Sequence, residues 1–324
     1  MKLIFSARTS TVCVLAVTTA LTLASSFALA AQVKLLGKLQ SIPVSHTDGV
    51  RSDPVNGVSY FTSGSTLFAY ELATWKPKWQ VKLSDAAYGA FDSSRDGKLI
   101  AIRDGNSLAL LSPKDGARIR SLRVATSYEG VRFSPDGGTL TVFGDGGVNV
   151  VDLNTGAIRE IGDCTQADAN SLEYSRDGKR VIAASCMGGV QVIDVVSGKV
   201  VKKFETEKYV TSIAKSGDSG SFLVTGTENA FYLLPGSLDS VDAFSTDAAA
   251  DTLSSALNGD GSLAVFSDYG YLYLVDFKKG SLKGLQYMTE VSGQTSELSF
   301  SRDGQTILVG HHDGISRFKI SDFR

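Results

Sequence analysis

The sequence has 324 residues, of which 43% are hydrophobic and 20% are charged, and its formal net charge is −2. This composition excludes an intrinsically disordered chain and a polytopic membrane protein. A mildly acidic chain is also unfavourable for nucleic-acid binding, because neutralising phosphates requires a basic surface. We therefore expect a globular protein that has no nucleic-acid partner.

The first segment has the features of a secretory signal peptide. Basic Lys2 and Arg8 come before an apolar run over residues 12–29, and the run ends in an Ala-x-Ala cleavage pattern. We interpret residues 1–30 as the signal peptide and residues 31–324 as a single mature domain. This interpretation predicts a periplasmic or secreted protein that has no integral membrane segment after cleavage.

A five-residue element then recurs along the chain. Its clearest copies are Phe-Ser-Pro-Asp-Gly at 133–137, Tyr-Ser-Arg-Asp-Gly at 174–178 and Phe-Ser-Arg-Asp-Gly at 300–304. Together with weaker copies, the aspartates fall at intervals of 40 to 43 residues. The seven positions are Asp53, Asp96, Asp136, Asp177, Asp218, Asp260 and Asp303. Because such aspartates accept hydrogen bonds within their own turns, we predict a structural role for those of the Asp-Gly turns, which are Asp96, Asp136, Asp177, Asp260 and Asp303.

A second element, which ends in glycine, follows within several copies, for example at 151–156 and 193–198. Apolar strands separated by Asp-Gly or Gly-Gly turns are typical of β-hairpins. Four antiparallel strands in each repeat of about 40–45 residues form the unit of a β-propeller. We predict an all-β fold with seven blades of four antiparallel strands each.

These two elements resemble those of bacterial seven-bladed propellers of the YVTN and WD-repeat-like group, which is related to quinoprotein amine dehydrogenase propellers. The resemblance covers residues 33–324, although the Gly-His and Trp-Asp pairs of true WD repeats do not recur. It implies the fold, whereas the group includes enzymes, enzyme subunits and binding scaffolds.

The two ends of the chain suggest how the ring closes. The last copy contains three strands before Arg324, and residues 33–39 alternate in polarity before the first complete copy. We predict that this N-terminal strand completes the last blade, where it covers an otherwise exposed sheet edge.

The charges divide unequally between the two faces of the predicted ring. We call the face with the blade-to-blade loops and the turns between second and third strands the top face, and the opposite one the bottom face. The top face has fifteen acidic and two basic residues, a formal charge of −13, whereas the bottom face has fifteen basic and fourteen acidic residues. Such a field attracts a basic partner, although acidic loops also serve solubility alone. The candidate binding carboxylates are Asp104, Asp145, Asp268 and Asp313.

Tyrosines and histidines are further candidates on the top face. Tyr88, Tyr128 and Tyr209 come where innermost strands begin, and they either pack against neighbouring blades or form a ligand platform. His311 and His312 lie in a turn of the last blade. We interpret them as exposed turn residues and predict no metal site, because a metal requires further ligands from other blades.

Two cysteines remain after Cys13 is removed with the signal peptide. Cys164 enters the fourth blade, and Cys186 lies in a turn of that blade on the same face. Because disulfides persist in exported proteins, we predict a Cys164–Cys186 disulfide, with two unlinked thiols as the alternative.

The function is less well specified than the fold. No Gly-x-Ser-x-Gly, HExxH, P-loop or Rossmann motif occurs after the signal peptide, and we predict no cofactor. The sequence favours a protein-binding or assembly module that uses its acidic top face. An enzyme or enzyme subunit of quinoprotein dehydrogenase-like or lactonase-like type is the alternative, and a small-ligand or sugar sensor is a second one.

Overall fold

A computed structural model describes most of the predicted propeller. The described residues are 40–124, 130–144, 147–162, 172–184, 189–206, 209–217, 220–228, 230–245, 254–268, 271–277, 281–287, 295–301 and 303–323. Among them, the one helix is a 3₁₀ turn at Ile320–Phe323, and no helix has the length and apolar character needed to cross a membrane.

The described strands form seven antiparallel sheets of four strands each. Blades 1 to 3 contain β2 (Gly49–Asp53), β3 (Val58–Ser63), β4 (Thr66–Glu71), β5 (Pro77–Lys82), β6 (Phe91–Ser93), β7 (Ile100–Asp104), β8 (Ser107–Leu111), β9 (Arg118–Arg123), β10 (Gly130–Phe133), β11 (Thr139–Gly144), β12 (Gly147–Asp152) and β13 (Ile158–Ile161). Blades 4 and 5 contain β14 (Leu172–Tyr174), β15 (Arg180–Ala184), β16 (Gly189–Asp194), β17 (Val200–Glu205), β18 (Val210–Lys215), β19 (Phe222–Gly226), β20 (Ala230–Leu234) and β21 (Asp242–Ser245). Blades 6 and 7 contain β22 (Ser254–Leu257), β23 (Leu263–Asp268), β24 (Tyr271–Asp276), β25 (Ser281–Tyr287), β26 (Thr295–Phe300), β27 (Thr306–His311), β28 (Gly314–Lys319) and β1 (Gln40–Pro43).

The recurring Ser-x-Asp-Gly element forms the turn between the first and second strands. The Ser134 hydroxyl donates to Asp136 Oδ1 at 2.6 Å and accepts the N–H of Thr139 at 3.0 Å. Asp136 Oδ1 also accepts the N–H of Gly138 at 3.0 Å, while Gly137 has a φ of 72°, a conformation that favours glycine. The same serine-to-aspartate bond recurs in blades 2, 4 and 7. The predicted structural role is therefore confirmed for Asp96, Asp136, Asp177 and Asp303.

The first strands of the blades form the inner wall of a closed ring. Each contacts the first strand of the next blade, and β2 of blade 1 contacts both β6 and β26. The described apolar side chains form seven clusters, and each cluster lies between two neighbouring blades. Because both faces of a blade are buried, middle strands such as β19 are buried at every residue.

The ring is closed by an N-terminal strand, as predicted. β1 pairs antiparallel with β28 and forms the outer strand of blade 7, with Gln40 opposite Arg317 and Pro43 opposite Gly314. Ile42 is 8% exposed and packs in the cluster between blades 7 and 1. The segment expected from the sequence, residues 33–39, lies outside the described residues, so the observed closing strand is Gln40–Pro43.

Candidate functional site

Asp104, a candidate binding carboxylate of the top face, is less accessible than we expected from the sequence. This residue ends β7, and its side chain is only 5% exposed because it forms an ion pair with Arg118. The Ser84 hydroxyl also donates to Asp104 Oδ1 at 2.6 Å. Burial alone would raise the pKa of Asp104, but the hydrogen bonds from Ser84 and Arg118 outweigh it and lower the pKa. Asp104 is therefore bonded within the protein rather than presented to a partner.

The other predicted acidic candidates are placed only in part. Asp313 is exposed in the turn between β27 and β28. Asp268 ends β23 opposite Tyr271, and only its backbone is described. Asp145 lies outside the described residues, as do Tyr128 and both cysteines of the predicted disulfide, Cys164 and Cys186.

Two of the three predicted tyrosines are exposed on the top face. Tyr88 is 58% exposed and Tyr209 is 74% exposed. Tyr88 has a φ of 49°, in the left-handed region that a residue with a side chain rarely adopts. The Arg103 guanidinium lies 5.5 Å from the centre of the Tyr88 ring, a distance typical of a cation–π contact. Tyr88 is thus presented outward rather than packed against a neighbouring blade.

The two neighbouring histidines have different surroundings. His312 is exposed, as expected, and its ring centre lies 5.4 Å from that of His46. His311 instead ends β27 and is 1% exposed, because strand pairing turns its side chain inward. Its Nδ1 accepts the N–H of Asp313 at 3.2 Å, so its Nε2 donates to the Ser316 hydroxyl at 2.9 Å. Among the described residues, no group of three or more His, Cys, Asp or Glu side chains is arranged to hold a metal ion.

A cavity in the described part of the chain lies on the axis of the ring. It is a cavity of about 700 Å³ lined by residues of the inner strands and of the turns that follow them. Its lining includes the exposed turn residues Val55, Arg95 and Arg176, which place its mouth on the bottom face. The sequence pointed to the top face, so this cavity is an additional site.

Six charged side chains, which we call the charge network, line this cavity. They are Arg51, Asp92, Arg132, Glu173, Lys215 and Glu297. Each comes from a different blade, and they contact one another across the boundaries between blades. The ion pairs join Arg51 to Glu297, Arg51 Nε to Asp92 Oδ1 at 3.9 Å, Arg132 Nε to Glu173 Oε1 at 3.0 Å and Lys215 Nζ to Glu173 Oε2 at 4.0 Å.

Backbone groups and hydroxyls complete a ring of polar contacts between blades. Asp92 Oδ2 accepts the N–H of Phe133 at 2.9 Å, which joins blades 2 and 3. The hydroxyls of Ser212 and Ser255 lie 3.0 Å apart and join blades 5 and 6. The Ser254 hydroxyl accepts the N–H of Leu298 at 3.1 Å and joins blades 6 and 7. Every pair of neighbouring blades is thus bonded at the inner wall. The bonds involve charged side chains in one part of the ring and only neutral groups in the other part.

Burial shifts the pKa of two members of the charge network. Burial raises the pKa of Asp92, and the opposing effects of Arg132 and Arg51 only reduce this shift. Burial also lowers the pKa of Arg51 to about 9, and repulsion from Arg132 adds to the change. The two guanidinium groups therefore act on each other inside the cavity wall, where a low dielectric constant strengthens charge interactions.

Sequence reasoning missed the charge network, although a signal for it exists. Arg51, Asp92, Arg132 and Glu173 follow one another at intervals of 41, 40 and 41 residues, which is one repeat each. Each single repeat shows only one charge in an otherwise ordinary strand. Aligning the repeats in one column shows positive and negative charges in alternation, as expected for partners on neighbouring blades.

Comparison with known proteins supports the architecture. No protein-family model and no curated protein match the chain. The β-propeller domain of Cps50 (Swd1) from Myceliophteria thermophila matches with a TM-score of 0.75 and 15% identity, covering 87% of this chain and 99% of that one. Hydrazine synthase from Kuenenia stuttgartiensis matches with a TM-score of 0.72 and 15% identity, covering 89% of this chain and 99% of that one.

These similarities and the seven sheets define the class of the protein. The chain is a seven-bladed β-propeller. At 15% identity, the likeness to both structures concerns the fold alone. The fold is consistent with a protein-binding or assembly module.

Proposed function

We propose that this chain is an exported β-propeller that acts as a protein-binding or assembly module through its top face. The observation that carries the proposal is the exposure of two tyrosines, Tyr88 at 58% and Tyr209 at 74%, at the entry to their blades. Tyrosine is enriched at protein interfaces because it offers a large apolar ring together with a hydrogen-bonding group. A closed and internally bonded ring holds such side chains in fixed positions.

The backbone at Tyr88 supports a binding role. A left-handed conformation at a residue other than glycine costs about 1–3 kcal/mol and persists only where its surroundings impose it. Here the N–H of Ala90 donates to the carbonyl of Ala87 at 2.9 Å, and the N–H of Phe91 donates to that of Gly89 at 2.8 Å. These bonds fix the turn that places the Tyr88 ring outside. Strain of this kind concentrates at functional sites.

The charge around the tyrosines favours a basic partner. Asp85 lies close to Tyr88 in sequence and is exposed, and Glu228 and Asp313 are exposed in turns of the same face. Asp104 does not contribute, because Arg118 and Ser84 bind its carboxylate. Exposed carboxylates attract a basic surface over about 10 Å at moderate ionic strength. We therefore expect the association to weaken as salt is added.

Export rests on the N-terminal sequence pattern, and it has a direct test. We expect the mature protein to begin at Ala31 and to occur outside the cytoplasm. Mass spectrometry of the protein from fractionated cells measures both properties. A full-length chain found only in the cytoplasmic fraction would contradict export, although it would leave the binding proposal open to its own test.

Site-specific photo-cross-linking tests the binding face. A photoreactive amino acid replaces Tyr88 or Tyr209 in the native cell, and Val196 serves as the matched control because it is 85% exposed in a bottom-face turn. We expect a discrete cross-linked protein from positions 88 and 209, in a yield that falls with added salt. Adducts that form only from position 196, or equally from all three positions, would refute the assignment to the top face.

A further inference from the structure

The charge distribution around the central cavity is asymmetric. The cavity of about 700 Å³ has a size common for small-molecule sites, which are roughly 300–1,000 Å³. Among the described residues, its lining contains five basic residues and three acidic ones. The basic residues are Arg51, Arg95, Arg132, Arg176 and Lys215, and the acidic ones are Asp92, Glu173 and Glu297.

We propose that this cavity binds a small anion, a carboxylate or phosphate compound that enters from the bottom face. The proposed site is independent of the protein-binding surface, because it lies on the axis and opens at the opposite end of the ring. The anionic group would sit among the guanidinium groups of blades 1 and 3, at the wall formed by the charge network.

The acidic side chains of the wall are already engaged by protein groups. Glu297 Oε1 pairs with Arg51, and its Oε2 accepts the N–H of Val50 at 2.7 Å. The two oxygens of Glu173 face Arg132 and Lys215. Asp92 pairs with Arg51 and with the N–H of Phe133. These contacts offset much of the negative charge of the three acids within the wall, so the acids repel an anion only weakly.

The arginines of the wall keep donors for a ligand. The Arg132 side chain is 7% exposed, and its described contacts use Nε towards Glu173 and Nη1 towards the carbonyl of Val131. Among the described residues, Arg132 Nη2 has no hydrogen-bond partner. A guanidinium presents donors in a planar fork that matches carboxylate and phosphate oxygens. Repulsion between Arg51 and Arg132 would also be relieved by an anion placed near both.

Two described residues at the mouth of the cavity are basic. They are Arg95 and Arg176, and both are exposed. The aspartates of the same turns are not among the described lining residues, and they are engaged within their turns: Asp96 Oδ1 accepts the Ser94 hydroxyl at 2.7 Å, and Asp177 Oδ1 accepts the Ser175 hydroxyl at 2.7 Å. A mouth lined by one sign of charge raises the local concentration of the opposite ion.

The opposite side of the cavity provides room for the body of the ligand. The residues that line it from blades 5 to 7 are mostly small, and they include Ser212, Ala214, Ser255, Ala256 and Ser299. Lys215 and Glu297 also belong to these blades, but at the strand position of Arg51, Asp92, Arg132 and Glu173 the blades carry the short side chains Ala214, Ala256 and Ser299. This difference leaves space beside the guanidinium groups.

Calorimetric titration of the full mature chain at low ionic strength tests the proposal. The probes are inorganic phosphate, citrate and, as a neutral control, glucose. We expect saturable 1:1 binding of phosphate, of citrate or of both, and none of glucose. Binding of one anion alone supports the site and identifies its ligand class as phosphate or carboxylate. Failure of both anions to bind, or equal binding of glucose, would overturn the proposal.

Matched variants locate the binding. Arg95→Glu places a negative charge at the mouth, whereas Lys179→Glu makes the same change at an exposed bottom-face turn residue that does not line the cavity. We expect Arg95→Glu to weaken binding on the order of tenfold and Lys179→Glu to change it less than about twofold. Arg132→Gln should abolish binding in a protein whose melting shows that it is folded. Equal effects of the two glutamate variants would show a general bottom-face attraction and would reject the cavity site.

Discussion

Blades 1 to 4 and blades 5 to 7 use the same inner-strand position differently. Two residues before the Ser, Asp or Asn that opens the first turn, blades 1 to 4 carry Arg51, Asp92, Arg132 and Glu173, with alternating charge. Blades 5 to 7 carry Ala214, Ala256 and Ser299 there. Bonds that involve a charged side chain join blade 7 to blade 1 and continue as far as blade 5, whereas serine hydroxyls join blade 5 to blade 6 and blade 6 to blade 7.

The difference shows that blades with the same strand arrangement can be joined by different kinds of side-chain contact. A buried ion pair holds its two partners in one arrangement. When one partner is removed, the charge of the other stays buried without an opposite charge beside it. A hydroxyl link contributes about 1 kcal/mol and leaves the neighbouring space open. The small inner-strand side chains of blades 5 to 7 therefore leave space in the cavity.

Blade 7 is where the two halves meet, and we expect the largest effect there. A chain that begins at Val44 lacks β1, so the edge of β28 is exposed and Ile42 leaves the cluster between blades 7 and 1. We expect loss of cooperative thermal unfolding and aggregation, since an unpaired edge strand recruits other chains. Circular dichroism and light scattering measure this.

The matched control begins at Gln40 and retains β1. We expect this shorter truncation to melt close to the parent. If both truncations melted like the parent, β1 would not be the element that closes the ring.

Removing a charged link from the ring should have the next largest effect. Glu297 has an 8% exposed side chain, and it bonds both Arg51 and the N–H of Val50. Glu297→Ala leaves Arg51 buried without this partner, and we expect a loss of about 3–5 kcal/mol in the free energy of unfolding. Urea denaturation measures it. Glu228→Ala, at an exposed acid, is the control, and a similar small loss for both variants would argue against a linking role for Glu297.

Much of the fold was predictable because its local chemistry repeats. The polar groups of the Ser-x-Asp-Gly turn form hydrogen bonds with one another, as Ser134, Asp136 and Gly138 show. Its recurrence in the sequence therefore marks each blade. Ring closure was also predictable, since three strands in the last copy require a fourth. The segment predicted to close the ring, residues 33–39, lies outside the described residues, and the described closing strand is Gln40–Pro43.

The site was less predictable because it depends on contacts between distant residues. The sequence places Asp104 in a top-face turn but does not show that Arg118 and Ser84 bind its carboxylate. Likewise, it places His311 beside a turn, whereas strand pairing decides that the side chain is buried. The charged residues of the inner wall can be recognised as partners only when neighbouring repeats are placed side by side in the ring.

A neutral link provides the counterpart to Glu297. Ser255→Ala removes the hydroxyl that lies 3.0 Å from that of Ser212, at the junction of blades 5 and 6. We expect a loss of about 1 kcal/mol, because only one uncharged hydrogen bond is removed. Comparison with Ser212→Ala and with the double variant gives the coupling energy by denaturation. A loss as large as that of Glu297→Ala would remove the distinction between the charged and neutral halves.

We expect the smallest effect from pH. The contribution to stability of Asp92, which lines the cavity, should change with pH in the opposite direction to that of Asp136, which lies in a turn. Burial raises the pKa of Asp92, so its contribution to stability is present below the unfolded-state pKa and is lost as pH rises through the folded-state pKa. The Ser134 hydroxyl and the N–H of Gly138 lower the pKa of Asp136, so its contribution is present above the unfolded-state pKa and is lost as pH falls through the folded-state pKa. We expect the stability difference between parent and Asp92→Asn to decrease from pH 3 to pH 6, and that between parent and Asp136→Asn to increase, each by less than about 1 kcal/mol. Urea midpoints measured at several pH values for the three proteins give both slopes, and slopes of equal sign would show that the two carboxylates have the same kind of environment.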